Sequence, residues 1–306
     1  MGAEGSVLLT GGTGFVGRPL LLRLLEEDRA VTLLGRKAPD FVPTSGRRRL
    51  AFCACDLGQP ETLEPHARRL AGVTEAILAG GFMLASSKRE DDDRRLSLAT
   101  HVAGTAAVLD LLGPSLRWIG YVSTIDVYGT PRRLPIDETH PTSPSTYYGL
   151  SKLAAEGLVR VFARDRRIPR ATLRLSQVYG PGDTGRKAIP NLVSTALAGE
   201  PIVLTGSGAE RRSYLYVDDG VEAVMAALAR RAEGVFNVAG ATAASVLEVA
   251  ETLRRLCGLA EPVRCGNGGG PSLDIDISLA RRELGFQPAT SLEEGLRRTV
   301  AARSHA

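Results

Sequence analysis

The sequence predicts an α/β protein built on a doubly wound parallel sheet, with a smaller mixed α/β lobe beside it. Three observations predict this. The apolar run Ser6 to Thr10 breaks into a glycine turn and is followed by a leucine-rich helical pattern from Pro19 to Leu25. Short apolar runs then alternate with helical patterns through the first half, as in a parallel sheet covered on both faces. After Gly180 that rhythm gives way to shorter helices and strands mixed with loops.

The opening stretch reads as strand, tight turn, helix. Gly11 permits the turn, Gly14 lets backbone approach a pyrophosphate, and Gly17 lets the helix pack closely. The free amides and positive dipole end of the helix start suit phosphate, which points to a bound dinucleotide. Further strands are read at Ala30–Leu34, Leu50–Cys55, Ala76–Ala79, Trp118–Ser123 and Ala171–Leu175. Helical patterns are read at Pro60–Leu70, Leu96–Leu112 and Tyr148–Ala163. Ligands of such sheets bind beyond the carboxyl ends of the strands.

In the second half Gly180-Pro181-Gly182-Asp183 breaks the pattern, Gly266 to Pro271 reads as a connecting loop, and Ser291-x-x-Glu294 as a capping box opening the last helix. The expected division is a dinucleotide-binding domain of residues 1–178 plus about 214–243, with a substrate-binding lobe of about 179–213 plus 244–306. Specificity is expected from the loops around Gly81 to Ser87 and Gly182 to Asn191.

Composition narrows the partners. Of 306 residues 43% are hydrophobic and 24% charged, an ordinary globular balance, and the net charge of +4 is spread among interspersed signs. Arg47-Arg48-Arg49 and Arg230-Arg231 are short surface runs rather than a nucleic-acid stripe. Cys53-x-Cys55 places two thiols on one face of a strand, outside the common zinc spacings, so buried thiols and no metal site are expected. No signal peptide or membrane-spanning run is read, and a cytoplasmic location is expected.

Two further stretches carry chemistry. In dinucleotide folds an acid roughly 20 positions past the glycine turn bonds the adenosine ribose. Here the second strand ends in Gly35-Arg36-Lys37, whose space and charge suit a 2′-phosphate and favour NADP over NAD; a solvated basic turn is the plainer alternative. Tyr148 and Lys152 stand four apart on one helix face. A phenol of ordinary pKa near about 10 is a poor acid–base group at neutral pH, and a nearby ammonium lowers it. Such a phenol exchanges a proton with a carbinol or carbonyl while hydride passes to or from a cofactor. Ser123-Thr124, at the end of the fifth strand, offers a hydroxyl for the same oxygen.

Taken together, these motifs resemble those of an extended short-chain dehydrogenase/reductase, the family of nucleotide-sugar epimerases, dehydratases and ketoreductases, whose dinucleotide domain is of Rossmann type. The similarity runs through nearly the whole chain: Thr10-Gly11-Gly12-x-Gly14-Phe15-x-Gly17, Asp56-Leu57, Gly104-Thr105, Val122-Ser123-Thr124-x-x-Val127-Tyr128-Gly129, Tyr148-x-x-Ser151-Lys152, Arg174 with Val178-Tyr179-Gly180-Pro181, and Gly206-x-Gly208-x-x-x-Arg212-x-Tyr214-x-Tyr216-Val217-Asp218-Asp219. The resemblance implies that Tyr148 is the acid–base residue, that Lys152 holds the cofactor ribose and tunes Tyr148, and that Thr124 polarises the reacting oxygen. It implies cofactor contacts from Gly11, Gly14, Phe15, Val16, Gly17, Arg36, Lys37, Asp56, Leu57, Ala79, Gly80, Gly81, Tyr148 and Lys152. Substrate contacts are expected from Thr124, Ile125, Asp126, Gln177 and Arg212. Arg212 would grip a nucleotide-sugar diphosphate, with a surface ion pair as the alternative.

Three positions depart from the family pattern. His101 stands where asparagine is common, and it either substitutes or packs. Ile125-Asp126 replaces the Asp-Glu pair of 4,6-dehydratases, which argues against dehydration. Gln177 replaces a common asparagine. The expected activity is an NADP(H)-dependent 4-ketoreductase of an NDP-4-keto-6-deoxyhexose, with an NAD-dependent NDP-sugar 4-epimerase as close alternative. A non-sugar carbonyl reductase and a non-catalytic dinucleotide-sensing regulator are the remaining alternatives. A homodimer through the helices at Leu96–Leu112 and Tyr148–Ala163 is also implied.

Overall fold

The computed structural model describes residues 6–81, 90–183 and 188–304, with the side chains of 90–93 left aside. The chain forms two compact units. One comprises Met1–Gly129, Thr142–Arg174 and Val221–Phe236; the other comprises Thr130–Pro141, Leu175–Gly220 and Asn237–Ala306.

The first unit follows the alternation read from sequence. Strand β1 (Ser6–Thr10) leads to helix α1 (Gly17–Glu26), β2 (Ala30–Gly35), the short α2 (Thr44–Arg47) and β3 (Leu50–Ala54). Then come α3 (Ala67–Leu70), β4 (Glu75–Leu78), α4 (Glu90–Ser97), α5 (Gly104–Leu111), β5 (Trp118–Thr124), α6 (Tyr147–Arg166) and β6 (Arg170–Leu175). Among the described residues, seven strands make one sheet, in which β1 to β6 are joined by β11 (Gly234–Val238) in the order β11-β6-β5-β4-β1-β2-β3. The order reverses direction at β1, the topological switch point of a doubly wound sheet. The pairs β1–β2, β1–β4, β2–β3 and β4–β5 are parallel.

Register explains why the site residues meet. Thr10 pairs with Leu34 and Leu78, Leu34 with Cys53, and Leu78 with Tyr121, so one row crosses five strands. The residues just past it, Gly11, Arg36, Asp56, Ala79 and Thr124, emerge along one carboxyl edge. The row rests on a core of leucines: Leu8, Leu9, Leu20, Leu21, Leu24 and Leu33 are fully buried. Each contributes about 1.5–3 kcal/mol by leaving water. β5 is buried along both faces, and its Gly120 is needed because Trp118 lies across it, 2.4 Å from where a Cβ would stand.

Two helical patterns differ from the reading. Pro60–Leu70 is a 3-10 turn (Pro60–His66) followed by α3, because Pro65 has no amide for an α-helical bond. Leu96–Leu112 is not one α-helix: between α4 and α5 the segment Leu98–Ala103 is a π-helical turn. Cys53 and Cys55 are both buried free thiols on one face of β3 and the residue after it, and burial pushes Cys55 up to about 11.

In the second unit the strands come in short pairs. β7 (Gln177–Tyr179) runs parallel to β10 (Tyr214–Tyr216), β9 (Arg211–Arg212) antiparallel to β12 (Ala244–Ser245), and β8 (Val203–Leu204) parallel to β13 (Arg264–Cys265). Helices α7 (Ala188–Leu197), α9 (Val246–Leu256), α10 (Ser278–Leu284) and α11 (Leu292–Ser304) belong here, while α8 (Val217–Arg230) begins here and ends in the first unit. With so little ladder, side chains satisfy the backbone. Asp219 accepts the amides of Ala289 and Thr290, each at 3.1 Å, and buried Asn237 donates to the Ile136 carbonyl at 3.0 Å. α9 opens with a complete capping box between Ser245 and Glu248. At α11 the Ser291 hydroxyl accepts the Glu294 amide at 3.2 Å, while the Glu294 carboxylate accepts from Arg297 and Arg298.

Candidate active site

The glycine turn has the dimensions that the sequence implies. Gly11 adopts φ +73°, and a Cβ there would stand 2.6–2.8 Å from the backbone of Ala79 and Gly80. A Cβ on Gly17 would lie 1.9 Å from the Gly11 carbonyl oxygen, so Gly17 closes the turn on itself. Gly14 differs: a Cβ would meet only the Gly11 carbonyl, at 3.2 Å, and otherwise open space. Helix α1 begins after Val16 with no side-chain cap and no acid in its first turn. The Arg18 amide turns back to the Gly14 carbonyl at 2.8 Å and Pro19 has no amide, which leaves the Gly17 amide and the dipole at the helix start, a setting that fits a dinucleotide pyrophosphate.

Around the turn the other expected cofactor residues take their places in the first unit. The Gly80 amide donates to Thr10 Oγ1 at 2.7 Å, fixing the end of β4 against β1. Asp56 turns back on itself, its Oδ1 accepting the Gly58 amide at 2.9 Å, and the Leu57 carbonyl packs where Gly104 has no Cβ, at 2.3 Å. Arg36 and Lys37 are exposed just past β2. Phe15 and Val16 are half-buried in the turn and Gly81 is exposed beyond β4. Residues 82–87 and 184–187, within the expected specificity loops, lie outside the described residues.

The reactive side chains converge from β5 and α6. Thr146 caps α6, its hydroxyl accepting the Gly149 amide at 3.0 Å, and this sets Tyr148 in the first turn and Lys152 one turn on. Thr124 ends β5, and its hydroxyl bonds the Tyr148 phenol. Burial holds that phenol above its ordinary range, the Asp126 charge adds to this, and the Thr124 bond pulls the other way. Lys152, to which the resemblance gives the tuning of Tyr148, lies one turn on along α6. The Lys152 ammonium is 4% exposed, donates to the Val122 carbonyl at 2.5 Å and sits 4.4 Å from the Tyr121 ring centre. Burial brings it down to about 7, with Glu156 acting upward.

His101 lies at the heart of this group. It is fully buried on the π-helical turn, its Nδ1 2.8 Å from Ser151 Oγ, which itself donates to the Tyr148 carbonyl at 2.9 Å. Its ring stands edge-on to Tyr148 with centres 5.5 Å apart. Burial and the Lys152 charge bring it down to about 3, so it is a neutral imidazole at ordinary pH. Ile125 is 6% exposed and Asp126 exposed, in the 3-10 turn leaving β5. Ser151 stands in the quoted Tyr148-x-x-Ser151-Lys152 motif, whereas sequence reading missed Tyr121 and Glu156 as parts of this group; of these only Glu156 carries a visible signal, one turn from Lys152.

Within the second unit, Gln177 pairs with Tyr214 in the β7–β10 ladder. Arg212 is half-buried, donating to the carbonyls of Arg211 and Pro271. It is the neighbouring Arg211 that pairs with a carboxylate, Glu248 at 3.6 Å.

Comparison with known proteins resolves the family. The model of the NAD dependent epimerase/dehydratase family matches residues 7–239. The chain belongs to this family. A dTDP-glucose 4,6-dehydratase of Xanthomonas campestris pv. campestris (strain B100) is 32% identical over 334 aligned residues, covering 96% of this chain and 91% of that protein. Among solved structures of the epimerase/dehydratase type, a UDP-glucose 4-epimerase of Thermotoga maritima with UDP-glucose is 25% identical, with a TM-score of 0.80 over 98% of this chain and 99% of that one. MoeE5 in complex with UDP-glucuronic acid and NAD is 27% identical, with a TM-score of 0.83 over 98% and 99%. The chain is thus an enzyme of the nucleotide-sugar epimerase/dehydratase family with a Rossmann-type sheet. Among the described residues, no helix is long and apolar enough to cross a membrane.

Proposed function

We propose that the protein is an NADP(H)-dependent reductase of a nucleotide-linked 4-keto-6-deoxyhexose. The observation that carries this reading is the acid-free end of β2. Arg36 and Lys37, exposed where a ribose-binding acid would stand, suit an adenosine 2′-phosphate. Gly11, Gly14, Phe15, Val16 and Gly17 would hold the pyrophosphate, Asp56 and Leu57 the adenine, and Ala79, Gly80 and Gly81 the nucleotide at the end of β4. When bound, the nicotinamide supplies the hydride for the substrate carbon. Thr124 and Tyr148 together hold the substrate oxygen. The raised phenol keeps its proton at neutral pH and so gives it to the oxygen of a ketone as the alcohol forms. Lys152 fixes the ribose and supports the phenolate left behind. Ile125 leaves no carboxylate directly after Thr124, which argues against dehydration despite the relatives of that activity. In this reading the first unit binds the dinucleotide and the second serves the substrate, with Gln177 contacting the sugar and Arg212 the diphosphate. Exposed Leu96, Tyr147, Leu150 and Val161 on α4 and α6 suit a second copy of the chain.

An NAD-dependent 4-epimerase is the second reading, favoured by the likeness to the Thermotoga maritima 4-epimerase and to MoeE5 with NAD. The deciding measurement is dinucleotide binding by the purified protein. Preference for exchangeable NADPH, lost in Arg36→Ala, supports the reductase. A retained NAD that co-purifies moves the reading to the epimerase. Loss of turnover in Tyr148→Phe, with dinucleotide binding kept, separates both from a non-catalytic sensor.

A further inference from the structure

Lys152 and Glu156 stand one turn apart on α6 and would ordinarily pair. Here Glu156 is committed elsewhere. Its Oε1 accepts from the Ser123 hydroxyl at 2.5 Å and from Arg174 Nε at 3.1 Å, and its Oε2 from Arg174 Nη2 at 2.7 Å. Glu156 and both partners are nearly buried, and Arg174 also donates to the Tyr128 hydroxyl at 3.0 Å. The guanidinium thus offsets much of the charge that Glu156 could lend to the ammonium. What faces the ammonium directly is Tyr121 on β5. Its ring is 1% exposed with its centre 4.4 Å from Nζ, and its hydroxyl is buried with no hydrogen-bond partner among the described residues. The ring, not the hydroxyl, is what Tyr121 presents to the ammonium.

We propose that Tyr121 is a positioning residue of the site, whose π face holds the Lys152 ammonium in its charged form against the Val122 carbonyl. The link to turnover rests on the reading of Lys152 given above; the coupling of ring and ammonium does not. The other charged or titratable groups acting with Lys152 are Glu156 from its own helix and His101 from the π-helical turn, while Asp126 acts on Tyr148. Burial brings the ammonium down to about 7, so at neutral pH a modest contribution decides its charge. A ring of ordinary cation–π strength moves the midpoint by about half to one and a half pH units.

The chain has four lysines, Lys37, Lys88, Lys152 and Lys187, so lysine labelled with carbon-13 at Cε gives a countable set of signals. Lys152→Met identifies the one to follow. Position 121 is then filled in turn by Tyr121→Phe and by phenylalanines carrying one and three ring fluorines, which preserve shape while draining the π face. The expected midpoint is unchanged in Tyr121→Phe and falls stepwise with fluorine, by about one pH unit in all. A midpoint that stays put across the series overturns the proposal. A pH profile of turnover that moves with the midpoint supports both steps. A moving midpoint with a fixed profile keeps the ring–ammonium coupling and overturns the catalytic reading of Lys152.

Discussion

Two helix starts in this molecule are built in opposite ways. At α9 the Ser245 hydroxyl accepts the Glu248 amide at 3.0 Å, and the Glu248 carboxylate accepts the Ser245 amide at 2.6 Å. Arg211 adds an ion pair, and the helix end is chemically complete. At α1 the N-cap is Val16, which has nothing to offer, and the turn before it is glycine. The stability forgone at an uncapped start is about 1 kcal/mol, and under the proposed function a pyrophosphate stands where the cap would be.

Substitutions break this comparison in order of size. Gly17→Ala sets a methyl into the Gly11 carbonyl and costs about 3 kcal/mol or more, read as a large fall in melting temperature. Gly14→Ala meets a single atom at the edge of open space, so the fold survives in thermal melts. Dinucleotide affinity nevertheless falls at least about tenfold in a titration, because the methyl occupies the phosphate side. Ser245→Ala costs about 1 kcal/mol of stability and leaves the dinucleotide Kd unchanged. If Ser245→Ala weakened binding as much as Gly14→Ala, the division between a structural and a ligand-binding start would be wrong.

Acid sharpens the contrast most finely. His101, held down to about 3, stays neutral in the folded protein, whereas an unfolded histidine gains its proton below about 6.5. Stability is therefore lost as pH falls from the ordinary histidine value toward 3, and His101→Asn should flatten that limb of a melting-temperature scan. Glu248 is held below the usual carboxylate range, chiefly by its bond to the Ser245 amide. Its contribution is intact above that range and is lost only as pH falls through the depressed value, so Glu248→Gln changes a later limb.

Much of this was legible in the chain. The strands β1 to β6 fall within a residue or so of their sequence bounds, because buried parallel strands are short apolar runs with punctuated ends. The Tyr148–Lys152 spacing announced one helix face, and the bare Gly35-Arg36-Lys37 end was visible as written. What could not be read depends on register. Tyr121 lies beneath Lys152, and Arg174 against Glu156, only because β5, β6 and α6 align in one particular way. Capping boxes show the other limit: Ser245-x-x-Glu248 and Ser291-x-x-Glu294 look alike, yet two arginines following the second draw its carboxylate away.

The π-helical turn between α4 and α5 has a consequence for how this scaffold can be altered. Such a turn carries one residue more than an α-helical path would. Deleting a single residue between Leu98 and Ala103 restores the ordinary pitch while the helices on either side keep their faces. Within the turn the residue set against Ser151 would change, while α5 stayed seated on the Leu57 carbonyl. One codon thus works as an indexing click, able to exchange the side chain presented to Tyr148 with no change in the sequence of β5 or α6.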